Sequence, residues 1–406
     1  MKLTYKYRLY PTNAQMRALD FVLWQGRTVY NAALAQRISV YKETGEGMGY
    51  PQQWAHFRDL RREHPDTLGQ LNATSMQQLL RRLDKAFAAF FRRIKAGETP
   101  GFPRFKGRER FNSLEYRHGD GCKLRLGSRV VFYVQNVGDI KVKYHRPLPD
   151  GAEIKHVVIK RSSGKWYICL MLDLPDPVIE RRSGPAVGID VGLYSLLALS
   201  DGTTIDNPRW LRRSLARLRA AQRRLSRRKK GSHRRREAAA QVARLHERVA
   251  NRRRDFWHKI TRELVNTYGL IALEDLVLAF MTANHHLALS AHDAGLGEFQ
   301  QLLAYKAESA GTPVVTVNPA YTSQVCSECG AIVEKELSVR VHVCPHCGLT
   351  LDRDVNAARN VLFLAVESAR TGPSGDNVAG CGERSLRSSP RFSGESRHCP
   401  HLGSWL

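Results

Sequence analysis

Nowhere in its 406 residues does this sequence run apolar for the roughly 20 positions that a membrane-spanning helix needs. Its opening residues, MKLTYKYRLYP, lack the apolar core of a secretory leader, so no membrane partner and an intracellular, cytoplasmic setting are expected. Acidic residues are scarce too. Asp and Glu number 38 against 64 Lys and Arg, for a formal charge of +26 and a pI near 10.1, so the expected partner is a large anion, with phosphate backbones foremost. Cysteine is used sparingly and unevenly. Of eight, Cys122, Cys169, Cys381 and Cys399 are scattered and the other four form two C-x2-C pairs, a spacing that excludes a disulfide framework and points to metal. No internal repeat is present. Hydrophobic residues make up 42%, enough to bury cores in several modules.

The two pairs are Cys326-x2-Cys329 and Cys344-x2-Cys347, followed by Gly330 and Gly348, which relieve the tight turn after each. Four thiolates at this spacing suit a closed tetrahedral Zn2+ site of structural role, because four protein ligands leave no open position. His342 and His346 are read as exposed loop residues, spare beside the site.

Directly after the knuckle comes a carboxylate cluster, Leu351-Asp352-Arg353-Asp354-Val355-Asn356. Two further acids close apolar strands: Asp190 ends Ala186-Val187-Gly188-Ile189, and Glu274 ends Leu270-Ile271-Ala272-Leu273. Asp354 opens a helix. Asp190, Glu274 and Asp354 in this order match a ribonuclease-H-like nuclease core, in which the acid on the central strand can bridge two ions. Hard oxygen ligands suit Mg2+ or Mn2+. Two such ions roughly 3.5 to 4 Å apart activate water on one side of phosphorus and stabilise the leaving oxygen on the other. Asp275 competes with Glu274, and Asp352 with Asp354; Asp354 is chosen because it sits at the helix start beside Asn356, and Asp352 is read as pairing with a base or capping the turn.

The rest of the chain reads as modules. Residues 1–10 alternate as a half-buried strand, and Pro11-Thr12-Asn13 opens a helix. Another helix starts near Asn72, with Met76, Leu80, Leu83, Phe87, Phe90, Phe91 and Ile94 on one side, and ends at Gly97. Gly101-Phe102-Pro103-Arg104-Phe105-Lys106 interleaves aromatics with bases, as nucleic-acid contact requires; Arg104 and Lys106 are the candidates. Residues 124–173 form short antiparallel strands, which with 1–10 are expected to close one barrel around an inserted helical module. After a composition break at 176–185, residues 193–200 and 203–206 are further strands. Residues 210–257 are two Arg-rich helices joined near Gly231-Ser232, a surface that suits nucleic acid better than bare solvent. A helix over 294–308, a strand over 314–317 and a disordered tail after 371 complete the reading.

With these residues in hand, the chain resembles TnpB, the insertion-sequence nucleases regarded as ancestors of type V CRISPR effectors. The motifs are Arg8-Leu9-Tyr10-Pro11, Gly101-Phe102-Pro103-Arg104-Phe105, Gly188-Ile189-Asp190-Val191-Gly192, Leu225-Ser226-Arg227-Arg228-Lys229-Lys230-Gly231-Ser232, Glu274-Asp275-Leu276, Tyr321-Thr322-Ser323-Gln324, the knuckle, and Asp352 to Asn360. The family more often carries an Ile and a Trp within Ser290 to Gly297, where this chain has neither.

The resemblance implies an α/β fold with all-β and all-α modules: a RuvC-type RNase-H-like core with a zinc-ribbon insertion, and an N-terminal wedge β-barrel with a helical recognition insert. The expected division is wedge 1–12 and 98–182, recognition module 13–97, nuclease core 183–319 with its basic hairpin at 209–262, knuckle 320–350, last core segment 351–370, and tail 371–406. It implies an RNA-guided DNA endonuclease of a transposable element, with Asp190, Glu274 and Asp354 catalytic and Mg2+ or Mn2+ and Zn2+ as cofactors. The implied partners are a guide RNA from its own element and duplex target DNA with a short adjacent motif, the protein acting as a nucleoid-associated prokaryotic monomer. Tyr50 and Gln77 would face that motif. Two other readings stay open: a non-cleaving zinc-ribbon regulator that binds nucleic acid, and a transposase or resolvase on the same core.

Overall fold

A computed structural model describes residues 2–175, 182–276, 278–336 and 338–370. The expected tail at 371–406 and most of the break at 176–185 lie outside them.

The chain opens with β1 (Lys2–Tyr10), where alternate residues Tyr5, Tyr7 and Leu9 are buried. Helix α1 (Asn13–Thr44) follows, held at its start by a capping box in which Thr12 Oγ1 accepts from the Gln15 N–H at 3.3 Å and Gln15 Oε1 from the Thr12 N–H at 3.0 Å. Then come α2 (Tyr50–Glu63) and α3 (Ala73–Lys95), the latter capped by Asn72. Six strands follow: β2 (Ser113–Arg117), β3 (Cys122–Arg125), β4 (Val131–Val134), β5 (Gly138–Lys143), β6 (Glu153–Ser162) and β7 (Lys165–Asp173). With β1 they build one antiparallel sheet in the order β2-β6-β7-β1-β5-β4-β3.

The sheet does not close into a barrel: β2 and β3 are its two edges, and no pairing joins them among the described residues. Helices fill the open side instead. Leu19, Leu23, Leu34, Met76, Leu79 and Leu83 share one core with Leu114, Tyr116, Ile159 and Ile168. Apolar burial by α1 and α3 thus does what strand pairing does in a closed barrel.

A second sheet is formed by β8 (Ala186–Val191), β9 (Ser195–Leu199), β10 (Thr204–Asp206), β11 (Leu270–Glu274) and β12 (Val314–Val317), in the order β10-β9-β8-β11-β12. Strands β8, β11 and β12 are parallel, and β9 and β10 antiparallel. The parallel strands are nearly unbroken apolar runs, as burial on both faces demands. The basic hairpin is α4 (Trp210–Ser226) and α5 (His233–Thr267), the latter capped by Ser232; Lys165 and Tyr167 of β7 both reach Glu247 on α5 and tie the two halves together.

Between β11 and β12 lie α6 (Leu278–Ala283), α7 (His285–Ala294) and α8 (Leu296–Ala310). The helix expected over 294–308 therefore starts later, at Leu296. Gly295 breaks the chain there at φ +67, with Arg253 packed so close that a Cβ would lie 2.6 Å from its Cδ. Trp257 Nε1 fixes the same corner by donating to the Ala294 carbonyl at 2.9 Å. Within the segment where the sequence departs from its family, buried Asp293 accepts from the backbone N–H groups of Leu211 and Arg212 at 2.7 and 3.0 Å, and so caps α4.

The chain ends in β13 (Val341–Val343), β14 (Thr350–Asp352) and α9 (Arg353–Arg370), which packs across β8. Gly188 makes that crossing feasible: a Cβ there would fall 2.0 Å from the Ala358 carbonyl oxygen and 2.7 Å from the Leu362 nitrogen. No side-chain motion relieves a clash with backbone. Gly188→Ala is expected to cost about 3 kcal/mol or more and to leave little soluble protein, as thermal melting of whatever folds would measure.

Candidate active site

Strands β8 and β11 run parallel with Ile189 opposite Leu273, so the next residue of each, Asp190 and Glu274, leaves the sheet at the same edge. Helix α9 brings Asp354 to them from its first turn. The three carboxylates interact. Burial first, then Glu274 and Asp354, push the Asp190 carboxyl up from 3.8 to about 8, against the pull of Arg353. Glu274 is likewise raised by burial and by Asp354. At about 8, Asp190 keeps its proton at neutral pH unless a counter-cation is supplied, and an all-oxygen donor set is what a hard divalent ion takes. The donor chemistry suits such a group, while among the described residues only the four cysteines form a group of ligand atoms all within 4.8 Å of one another.

The competing acids sit elsewhere. Asp352 is exposed and caps α9, its Oδ1 accepting from the N–H groups of Asp354 and Val355 at 2.9 and 3.1 Å. Asp275 is exposed one residue beyond the strand.

Three neighbours of the acids have no role assigned from the sequence: Thr322 and Arg353 lie within the family motifs, and Arg340 is not named there. Thr322 Oγ1 donates to Glu274 Oε1 at 2.6 Å, in a buried contact. Arg353 and Arg340 lie 3.3 and 3.5 Å from Asp354, and the Arg340 guanidinium also covers the Tyr194 ring at 5.0 Å. Arg340 belongs to the stretch between the two cysteine pairs, so the knuckle places a cation over the acids; no periodicity or motif marks it in advance. Among the described residues, Thr322 is the one hydrogen-bond donor shown to favour the charged form of Glu274. Thr322→Val is therefore expected to raise that carboxyl further and to move the acid limb of the cleavage pH profile upward. An unmoved limb in rates taken from pH 5 to 9 would rule that role out.

The four cysteine sulfurs lie within 4.8 Å of one another, with Cys326 and Cys347, and Cys329 and Cys344, each 3.6 Å apart. That is far beyond a disulfide, and close to the roughly 3.8 Å edge of a tetrahedron whose metal–sulfur bonds are about 2.3 Å. Gly330 and Gly348 take φ +75 and +77 at the two turns. His346 is exposed, but His342 is not the loop residue expected: it is fully buried on β13, with flanking Val341 and Val343 exposed. Its Nδ1 meets the Lys335 ammonium, which turns the imidazole inward where the alternation of a strand would have favoured a valine.

The knuckle is fastened to α9 by amides. Asn356 Oδ1 accepts from the Ser327 N–H at 2.9 Å and its Nδ2 donates to the Val325 carbonyl at 2.7 Å, while Asn360 Nδ2 donates to the Thr322 and Val325 carbonyls at 2.8 and 2.7 Å. The remaining candidates are well apart from this site. Tyr50 opens α2 with Arg81 over its ring at 5.1 Å, and Gln77 is half-buried on α3. Arg104 is exposed; Lys106 is half-buried, its ammonium 5.6 Å from the Tyr30 ring.

Family models match three stretches: a probable transposase at residues 170–285, a Cas12f1-like TNB domain at 297–361 and a helix-turn-helix domain at 1–46. The last stretch is here β1 and the single long α1. A protein of Streptomyces pristinaespiralis, named as an RNA-guided DNA endonuclease, is 35% identical over 92% of this chain and 91% of its own length. One of Escherichia coli K12 with the same description is 30% identical over 93% and 94%. The chain belongs to the TnpB family. Among solved structures, this TnpB chain shares its fold with Cas12f1 in a complex with single-guide RNA and target DNA, at a TM-score of 0.58 and 14% identity over 89% of this chain and 98% of that one. The fold is also that of the mini-endonuclease Cas_phi3, at a TM-score of 0.54 and 8% identity over 90% and 92%.

Proposed function

We propose that this TnpB protein is an RNA-guided DNA endonuclease of a transposable element, and that Asp190, Glu274 and Asp354 are its catalytic acids. The observation that carries the reading is the meeting of the three carboxylates at one sheet edge, with Asp190 raised to about 8 by burial and by the other two. The second sheet with α4–α9 is then the RuvC-like, RNase-H-like nuclease core, the seven-stranded sheet the wedge, and α1–α3 the recognition module. Relatives named as RNA-guided DNA endonucleases over nearly the full length support the endonuclease reading.

In this reading Asp190, Glu274 and Asp354 hold Mg2+ or Mn2+, and the four cysteines hold Zn2+ in a closed structural site. The divalent ions supply water activation and stabilisation of the leaving oxygen in phosphodiester hydrolysis. The protein does the positioning. Thr322 orients Glu274, Arg353 and Arg340 balance Asp354, and the Arg-rich faces of α4 and α5 attract the polyanion. No helix among the described residues is long and apolar enough to cross a membrane.

Co-expression with the RNA flanking the gene, then incubation with a guide-matched duplex in Mg2+, tests the proposal, with a randomised adjacent motif and no-RNA and Asp190→Ala controls. Cutting that needs both the RNA and Asp190 is the expected result. Cutting without RNA would favour a transposase or resolvase, and RNA that co-purifies with a chain that never cuts would favour a binding regulator.

A further inference from the structure

The apolar stripe of α3 outruns its core. Its buried residues stop at Leu83, yet the stripe continues for three more turns through Phe87, Phe90, Phe91 and Ile94. Phe91 is 60% exposed and Ile94 49%; in the loop after the helix Phe102, which packs on Phe87 and Phe90, is 42% exposed, and Phe105, three residues further on, 53%. A patch of this kind on a polar chain marks something that covers it.

The patch is rigid. Phe102 stands edge-on to Phe87 and Phe90, with centroids 5.6 and 5.3 Å away and planes at 89° and 84°, and Phe91 packs on Phe90 at 5.2 Å. Pro103 is buried, and Asn31 of α1 clamps the loop by accepting from the Lys106 N–H at 2.8 Å and donating to its carbonyl at 3.1 Å. Phe102 and Phe91 are therefore backed by packed rings, and the loop that carries Phe105 is tied down at Lys106, which lowers the entropy lost when a ligand binds.

Its surroundings are cationic. Residues 85–110 contain eight Lys and Arg against two acids, Glu98 and Glu109, and Glu98 is engaged by Arg93 at 3.9 Å. Arg92, Arg93, Lys95 and Arg104 are all exposed. Such a rim repels a second copy of this chain and attracts a polyanion. A duplex meets these cations with its phosphates but keeps its base faces stacked internally, and so would leave the rings uncovered. Unpaired nucleotides satisfy both features, with bases on rings and phosphates on arginines.

Building on the guided-nuclease reading, we propose that Phe91, Phe102 and Phe105 form a stacking platform for unpaired nucleotides of a DNA strand separated from its complement, with Phe87 and Phe90 as its backing. The platform stands on the recognition helices and contains none of the carboxylates or cysteines, so its loss leaves the metal sites intact.

The test uses the full chain with its co-expressed RNA, on an Asp190→Ala background so that DNA stays uncut and cleavage does not enter the readout. Probes are a 20-nucleotide DNA carrying 2-aminopurine, the same sequence as RNA, and the same sequence as duplex DNA. Phe91→Ala is expected to weaken binding of the single-stranded DNA about tenfold and to abolish quenching of the 2-aminopurine, with duplex affinity and the salt slope unchanged. Phe91→Trp should retain both, and Phe105→Ala, at an equally exposed position, should reproduce the loss. Equal losses on duplex and single strand, no loss at all, or quenching confined to the RNA probe would each overturn the proposal. So would a concentration-dependent dimer that Phe91→Ala dissolves in sedimentation. A wild-type chain that never cuts the guide-matched duplex, while the Asp190→Ala chain still quenches, would refute the guided-nuclease reading and leave the platform standing.

Discussion

Asp190→Asn protein is expected to melt above the wild type by about 5 °C at pH 8 when both are stripped of divalent ions, and yet, in Mg2+, to cut DNA on the order of a thousandfold more slowly. Both outcomes follow from one environment. Folding carries the Asp190 carboxyl from 3.8 to about 8, because burial and the charges of Glu274 and Asp354 disfavour its ionised form. The folded chain thus keeps a proton that the unfolded chain releases. Metal-free stability contributed by this group is full below about pH 4 and is lost as pH rises toward 8. Asparagine has nothing to titrate, so the gap between variant and wild type should widen from pH 5.5 to pH 8. Mg2+ should then raise the melting temperature of the wild type at pH 8 and not that of Asp190→Asn, since only the wild type offers the full set of carboxylates. An equal Mg2+ shift in both proteins would sink the assignment of Asp190 as a metal ligand, whatever the cleavage rates show.

Removal of Zn2+ is expected to abolish cleavage by a different route, through Asp354. A structural Zn2+ site contributes on the order of 10 kcal/mol to the fold of a small knuckle, and residues 326–347 have little core of their own to replace it. Cys326 and Cys344 are buried, and Asn356 and Asn360 draw their partners from Thr322, Val325 and Ser327 at its entrance. Those amides hold the first two turns of α9, where Asp354 begins. Loss of the knuckle releases Thr322 from Glu274 and Arg340 from Asp354 as well. A displacement of about 1 Å at a catalytic group costs roughly a hundredfold. Cys344→Ser, or a strong chelator followed by excess Mg2+, should therefore remove cleavage by at least that factor, and restoring Zn2+ to the chelated wild type should recover it. The zinc content and the cleavage rate, measured on the same samples, should fall together. Full activity in a zinc-free protein would show that α9 holds Asp354 unaided.

What could be read along the chain was local chemistry. Alternation in β1, the helix start at Pro11-Thr12-Asn13, the helix start near Asn72, the junction near Gly231-Ser232, the paired cysteines with their trailing glycines, and acids closing apolar strands all depend on residues a few positions apart, and the structure forms each of those elements. Family motifs spread over the chain led to the same family that the relatives show.

Contacts between distant segments were not legible, because no local period encodes them. An amphipathic stripe says that a helix has an apolar side but not how far a core extends along it, so the outer turns of α3 read like the inner ones. The barrel reading failed for the same reason. Strand patterns alone do not tell whether the edges meet, and here α1 and α3 fill the gap. His342 read as a loop residue because its burial depends on Lys335 and on its pairing opposite Leu351 in β14. Asp352 and Asp354 are two residues apart and differ in sequence by little. The turn of α9 separates them, sending one outward to cap the helix and the other toward Asp190, and only the packing of α9 on Gly188 fixes which acid that is.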